Sequence, residues 1–170
     1  ADAENAKAKA VVFKINTFGG RVDAATQIKD AILNCKLPTI AFIDKRAISA
    51  GALISLSCEK IVMVPGASIG ASTVVDQEGK KQAEKYQSYM RSEMRATAER
   101  NNRNPKIAEG MVDERIVIEG LTDSTKLITL TSAEALKWGI ADTIISDMRS
   151  ALKALGYSNF ELIEHNSNWA

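Results

Sequence analysis

Histidine is almost absent from this sequence: His165 stands alone among 170 residues. One imidazole cannot build a histidine-rich metal site, and no metal site or cofactor is expected. A Ser-His-Asp hydrolase would have to hold that ring rigidly in the polar stretch 164–168, a poor place for it. Cysteine is nearly as scarce. Cys35 and Cys58 are too far apart for a CxxC metal or redox motif, and both sit in apolar contexts that read as buried free thiols. No apolar run reaches the roughly 18–20 residues of a membrane-spanning helix. The longest uncharged stretches are 47–58 and 61–75, and the second is broken by Pro65, Gly66 and Gly70. Neither charge sign dominates: 22 Lys and Arg face 21 Asp and Glu, a net of +1. That balance gives no electrostatic case for a nucleic-acid or membrane-surface partner. Residues 1–10 alternate charge with alanine rather than forming a signal peptide, so a soluble chain is expected, with any membrane anchor carried outside it.

What is present is ordinary for a globular protein: 45% hydrophobic and 25% charged residues, in a length suited to one domain. Ala10–Asn16 is a short apolar run ending in Thr17-Phe18-Gly19-Gly20, a strand followed by a turn. Val22–Leu33 places Val22, Ala25, Ile28, Ile32 and Leu33 at helical spacing. Pro38–Ile43 reads as a second strand, Asp44–Arg46 as a loop, Ala47–Ser57 as a buried helix and Glu59–Val64 as a third strand. That alternation predicts right-handed crossovers and a parallel sheet. The second half is more polar. Gly66–Gly79 is a small-residue loop, and Lys80–Asn102 a long helix striped by Tyr86, Met90, Glu93, Met94 and Thr97. A short helix follows Asn104-Pro105. Arg115–Ile118 and Lys126–Leu130 read as strands. Thr131 and Glu134 form a capping box, and Gly139 closes the helix they open. Asp142–Ser146 is read as a last core strand, Met148–Leu155 as a helix closed by Gly156, and Asn159–Ile163 as an edge strand.

Two junctions could carry chemistry. Gly19-Gly20 follows the first strand, and paired glycines allow positive φ and close approach of a substrate backbone. The GxGxxG dinucleotide pattern is absent. The second junction is Ile48-Ser49-Ala50-Gly51, at a helix start. A serine there most often caps the helix. It is also well placed as a nucleophile, because free N–H groups and the helix dipole can stabilise an oxyanion beside it.

Four ordered blocks carry a resemblance: INTFGGRVDAA (15–25), AISAGALISLSC (47–58), VMVPGASIGAS (62–72) and LTSAEALKWGIAD (130–142). Together they resemble the ClpP/crotonase superfamily, and more closely its NfeD-type membrane-associated serine proteases, relatives of signal peptide peptidase A. The resemblance implies an α/β, ClpP/crotonase-like fold: a mostly parallel sheet, crossover helices and one long helix in the second half, over residues 1–170 as a single domain. It implies Ser49 as nucleophile, with the amides of Gly20 (or Gly19) and Ala50 as oxyanion hole. The loop 66–73 falls where the family binds substrate. Gly19, Arg21, Val22, Ile69, Gly70, Ala71 and Ser72 are the implied substrate-binding residues, with an apolar peptide bonding as an added strand.

The family base is a lysine, with Lys80, Lys81 and Lys85 as candidates. Counting back from the Asn102-Arg103-Asn104 turn, which matches the family's Gly-Arg-Asn turn, puts Lys85 in register. Helical geometry agrees in part: the stripe of Tyr86, Tyr89, Met90, Met94 and Thr97 has Lys85 on its border. The chemistry is demanding. An amine acting as base needs a pKa of roughly 7–8, against about 10.4 for an ordinary lysine. Desolvation without a paired carboxylate is the available cause, so an enclosed ammonium is expected.

Phe18 stands where the family usually has proline, and Ile48 where a smaller residue is common; both narrow the site. The chain opens in what reads as the middle of a helix, so the first strand of the fold is expected to lie outside it, and 164–170 is expected to be loose. The resemblance further implies a homodimer or higher oligomer, an extracytoplasmic setting, and a membrane-protein substrate such as a stomatin-like protein. Two rivals share the fold: a crotonase-type acyl-CoA enzyme, and a peptide-binding scaffold without turnover.

Overall fold

The computed structural model describes residues 1–165; most of the expected loose tail, 164–170, falls outside them. A short helix, α1 (Asp2–Asn5), precedes β1 (Val11–Thr17), and α2 (Val22–Leu33) crosses over to β2 (Thr39–Ile48), which runs parallel to β1. Then come α3 (Ala50–Ser57), β3 (Lys60–Met63) and β4 (Ser68–Gly70), also parallel to β2. β5 (Thr129–Thr131) is antiparallel to β4, and β6 (Thr143–Ile144) is parallel to β3. The sheet is therefore mostly parallel, as the alternation of elements predicts.

β2 organises the site. Its first half pairs with β3 through Ile40–Ile43, and its second half pairs with β4 through Arg46–Ile48. Asp44–Arg46, expected as a loop, instead continues the strand. Its charged side chains break the apolar pattern, and it bulges out of the β1 ladder, where Ile15 pairs with Ile43 and Thr17 with Ala47; Arg46 takes up the pairing to Ser68 of β4. The helix expected from Ala47 accordingly begins only at Ala50. Two apolar layers flank the sheet. The larger joins Ile43, Leu53, Leu56, Ile61 and Met63 to Met90 and Met94. The smaller sets Ile40, Phe42 and Val62 against Ala151 and Leu152.

The second half departs further from expectation. α4 spans Glu84–Arg100, so Lys80 and Lys81 precede it rather than opening it. α5 (Pro105–Gly110) starts at Asn104, whose side chain accepts from the Lys106 and Ile107 amides. Arg115–Ile118 forms turns, with one bridge between Ile118 and Thr122. Only the end of Lys126–Leu130 is strand. The capping box at Thr131 and Glu134 is present and starts α6 (Ser132–Lys137). α7 covers Met148–Ala154. Gly139 and Gly156 take the positive φ expected of them. Asn159–Ile163 is not an edge strand: it stays irregular and lays Phe160 and Leu162 on the smaller apolar layer.

Candidate active site

Ser49 stands where β2 gives way to α3, in a backbone conformation (φ 57, ψ −118) that non-glycine residues avoid at a cost of about 1–3 kcal/mol. Its surroundings fix that geometry. The Ser49 amide donates to the Gly70 carbonyl at 3.0 Å, and its carbonyl accepts from the Ala52 amide at 2.9 Å. The Ser72 hydroxyl donates to the same carbonyl at 3.3 Å. Ser49 holds the N-cap position of α3, yet its side chain makes no capping bond. The common role of a helix-start serine is thus not the one it fills.

The turn after β1 is pressed against this residue. At Gly19 (φ +130) an added Cβ would lie 2.8 Å from the Ser49 Cβ and 3.3 Å from its Oγ, so only glycine fits. At Gly51 an added Cβ would lie 2.6 Å from Thr17 Cγ2, which is how closely the start of α3 approaches the end of β1. The Gly19 amide is already used, donating to Thr17 Oγ1 at 3.1 Å. The Gly20 amide has no protein acceptor among the described residues. Ala50, as first residue of α3, has no acceptor within its helix. Of the three amides considered from the sequence, Gly20 and Ala50 are the ones left to donate.

Past Gly20 the surface opens into a groove of about 720 Å³, walled by Arg21, Val22 and Thr26 on one side and by Lys85, Tyr86 and Tyr89 on the other. A smaller hollow of about 260 Å³ adjoins it, sharing Val22 and the two tyrosines and adding Val74 and Val75. Lys85 and the residues that follow the Gly19-Gly20 turn, Arg21 and Val22, therefore border one groove, although Ser49 and the two glycines do not line it. Among the described residues no carboxylate pairs with Lys85; its Nζ lies 4.9 Å from the centre of the Tyr86 ring. Lys81 is engaged with Glu114 at 3.1 Å. The expected enclosure of the ammonium is not found. Lys85 is exposed, because Tyr86 and Tyr89 beside it are themselves 46% and 47% exposed.

The model of the NfeD1b N-terminal domain matches residues 1–165. The chain belongs to this family. It is 35% identical over 162 residues to membrane protein NfeD1b of Bacillus subtilis, covering 95% of this chain and 37% of that protein. It is 32% identical over 159 residues to the membrane-bound protease PH1510 of Pyrococcus horikoshii, covering 89% of this chain and 33% of that one. The chain thus spans about a third of the length of both relatives. Among solved structures it resembles the membrane-bound stomatin-specific protease 1510-N. That structure is a lysine-to-alanine mutant in complex with a substrate peptide; the TM-score is 0.77 at 31% identity, over 89% of this chain and 68% of that one. A serine-to-alanine mutant of the same protease matches equally well, at TM-score 0.77 and 31% identity over 89% of this chain and 72% of that one. ClpP1 of Listeria monocytogenes shares the fold at TM-score 0.59 and 22% identity, over 83% of this chain and 76% of that one. An NfeD-type domain with a ClpP-like α/β fold is the result. No helix among the described residues is long and apolar enough to cross a membrane.

Within this fold four of the residues read as substrate-binding, Ile69, Gly70, Ala71 and Ser72, are taken up by the domain's own packing and hydrogen bonds. Ile69 and Ser72 are fully buried, and β4 is bonded on both sides, to β2 and to β5. Gly70 packs directly on Ile128, and the Ala71 amide donates to the Ile128 carbonyl at 3.0 Å. The open edge lies farther on. Ser72 and Val74 turn their backbone groups inward, the Ser72 amide donating to Met111 and the Val74 carbonyl accepting from the Gln82 amide. The backbone of Thr73 has no partner among the described residues. Arg21 and Val22 do line the groove. The thiols are free, as expected, but only Cys58 is buried; Cys35 is half-buried. Burial pushes the Cys58 thiol up to about 12, so it is inert as a nucleophile.

Three structural residues escaped the sequence reading. Arg103, 6% exposed, donates to the carbonyls of Leu56, Cys58, Glu59 and Ile140 and so ties the end of α4 to the end of α3. Asp113 is chelated by Arg115 and faces Arg91 at 3.3 Å; the Arg115 guanidinium holds its carboxyl down to about 2. Gln87 is buried between α4 and Val74. It lies three positions before Met90 and seven before Met94, the spacing of the inward face, but its polarity hid it.

Proposed function

We propose that this domain is a serine endopeptidase working through a Ser49–Lys85 dyad on apolar peptide segments. What carries the reading is the strained Ser49 backbone, which leaves the hydroxyl uncapped, against Gly19 and beside the unused amides of Gly20 and Ala50. Ser49 Oγ bonds to the scissile carbonyl carbon as its proton passes to Lys85 Nζ. The amides hold the resulting oxyanion. Breaking the C–N bond returns that proton to the leaving amine, and water then resolves the acyl-enzyme with Lys85 again as base. An extended peptide fits between Val22 and the open edge at Thr73, with its apolar side chains on Tyr86 and Tyr89. Its passage over Lys85 would exclude water from the amine.

The substrate class follows that of the relative 1510-N, a stomatin-specific protease. A stomatin-like membrane protein, self-association, and an extracytoplasmic position in a membrane-anchored whole protein belong to the same proposal. The exposure of Lys85 favours one alternative, a peptide-binding scaffold without turnover. A fluorophosphonate probe decides between them: labelling is expected, and is lost in Ser49→Ala and in Lys85→Ala. Labelling that survives Lys85→Ala but not Lys81→Ala reassigns the base, and no labelling at all leaves the scaffold.

A further inference from the structure

Gln87 makes an unusual set of contacts for a helix side chain. Only 2% exposed, it spends its whole amide on backbone groups of the segment that leads away from Ser49. Its Oε1 accepts from the Val74 amide at 3.0 Å, and its Nε2 donates to the Val74 carbonyl at 2.7 Å and to the Gln82 carbonyl at 3.1 Å. One side chain thus satisfies the Val74 N–H and adds a second donor to its C=O, which also accepts from the Gln82 amide at 3.0 Å. The segment is held at further points on the same inward side: the Ser72 amide on Met111 at 2.6 Å, and the Asp76 amide on Lys80 at 2.9 Å. Successive residues of an extended chain point to opposite sides. Fixing Ser72, Val74 and Asp76 inward therefore turns the backbone of Thr73 outward, next to Val74 and Val75, which line the smaller hollow.

The other end of the same link is the first turn of α4. Gln87 is two residues after Lys85 on a helix whose N-cap, Ala83, contributes no capping side chain. Besides Gln87, that turn is held by the partly exposed ion pair from Glu84 to Arg91; Tyr86 and Tyr89 are half-exposed, and Met90, the next fully buried side chain, lies a turn farther along. A buried primary amide bonded at both ends admits one orientation, since sliding or turning the helix would strand polar groups away from water.

We infer that Gln87 is a positioning residue, keying the open peptide edge at Thr73 to the base-bearing turn of α4 so that the two keep one spacing. The inference rests on the Ser49–Lys85 reading. It predicts that losing the Gln87 amide damages both functions of the link at once, the reactivity of Ser49 and the binding of an extended peptide, where a lost packing contact would damage neither selectively.

The test compares Gln87→Met, which keeps length and removes the hydrogen bonds, with Leu152→Ala, a destabilising control in the other apolar layer. The rate constant of fluorophosphonate labelling is expected to fall about tenfold in Gln87→Met, with KM for an extended apolar peptide raised several-fold. Leu152→Ala, brought to the same melting temperature, should change neither. Labelling and KM both within twofold of the parent in Gln87→Met would overturn the inference. Should that variant fail to fold, Gln87→Glu carries the same comparison, because it keeps the acceptor for Val74 and loses both donors. Binding of the same peptide to Ser49→Ala, with and without Gln87→Met, tests the edge without catalysis. A Ser49→Ala protein that still labels would overturn the dyad reading alone, leaving the peptide comparison to decide the role of Gln87.

Discussion

Ser49 and Lys85 stand near the starts of two helices, α3 and α4, and those two starts are built in opposite ways. The serine side is over-determined. β1, β2 and β4 converge on it, Gly19 and Gly51 allow backbone-to-side-chain contacts that any Cβ would block, and buried apolar side chains line α3. The lysine side is open. α4 is anchored at its far end, where Asn101 and Arg103 donate to the last carbonyls of α3. Its near end is held by Gln87 and by the chain of ion pairs from Glu84 through Arg91 and Asp113 to Arg115. The difference teaches where such a site can store strain and where it can move. An oxyanion hole must be rigid before substrate arrives. Under the proposed dyad Lys85 has to lose water to act as base, and its exposed place on the groove wall would leave that step to a bound peptide.

Three experiments would break or sharpen this contrast. The largest effect is expected on the serine side. Gly19→Ala puts a methyl where Ser49 already sits, at a φ that alanine rarely adopts. Fluorophosphonate labelling should drop at least about a hundredfold, comparable to losing an oxyanion donor. A variant labelling at the parent rate would mean that Gly19 and Ser49 are not held together.

Next is the far anchor of α4. Arg103→Met removes a buried guanidinium and its hydrogen bonds to the Cys58, Glu59 and Ile140 carbonyls, while Leu56 keeps Asn101, a loss of about 3 kcal/mol in urea unfolding. A change below about 1 kcal/mol would show that the anchor is unimportant.

The smallest effect concerns the near end and depends on pH. Asp113 has its carboxyl depressed from 3.8 to about 2 when folded. Its contribution is therefore complete above pH 4 and lost as pH falls through about 2, amounting to about 2 kcal/mol at 1.36 per pH unit. The acid-induced loss of stability should shrink by that amount in Asp113→Asn, and an unchanged acid limb would remove Asp113 from the account.

Much of the serine side could be read from the chain. Strands and crossovers announced themselves by apolar runs and glycine turns, because burial on both faces of a parallel strand demands continuous hydrophobicity. The capping box at Thr131 and the helix-closing glycines were equally visible, since their partners lie within one turn. The errors share a cause. Asp44–Arg46 looked like a loop because its side chains are charged, while the strand runs on through a bulge there and pairs again, from Arg46, with residues far away in sequence. Arg115–Ile118 looked like a strand because Ile116, Val117 and Ile118 are apolar and β-branched, yet among the described residues it has only the single bridge from Ile118 to Thr122.

The sequence by itself determined the order of elements as far as β3, the glycine turns, and the position of one serine at a strand-to-helix junction, all of which follow from local propensity and spacing. Only the tertiary structure decided that the Ser49 hydroxyl is not a cap, that the Gly19 amide is taken while Gly20 remains available, that Gln87 rather than Tyr86 faces inward, and that Lys85 lies uncovered. Each of these turns on which distant backbone group arrives within hydrogen-bonding reach, and that is set by how the whole sheet packs.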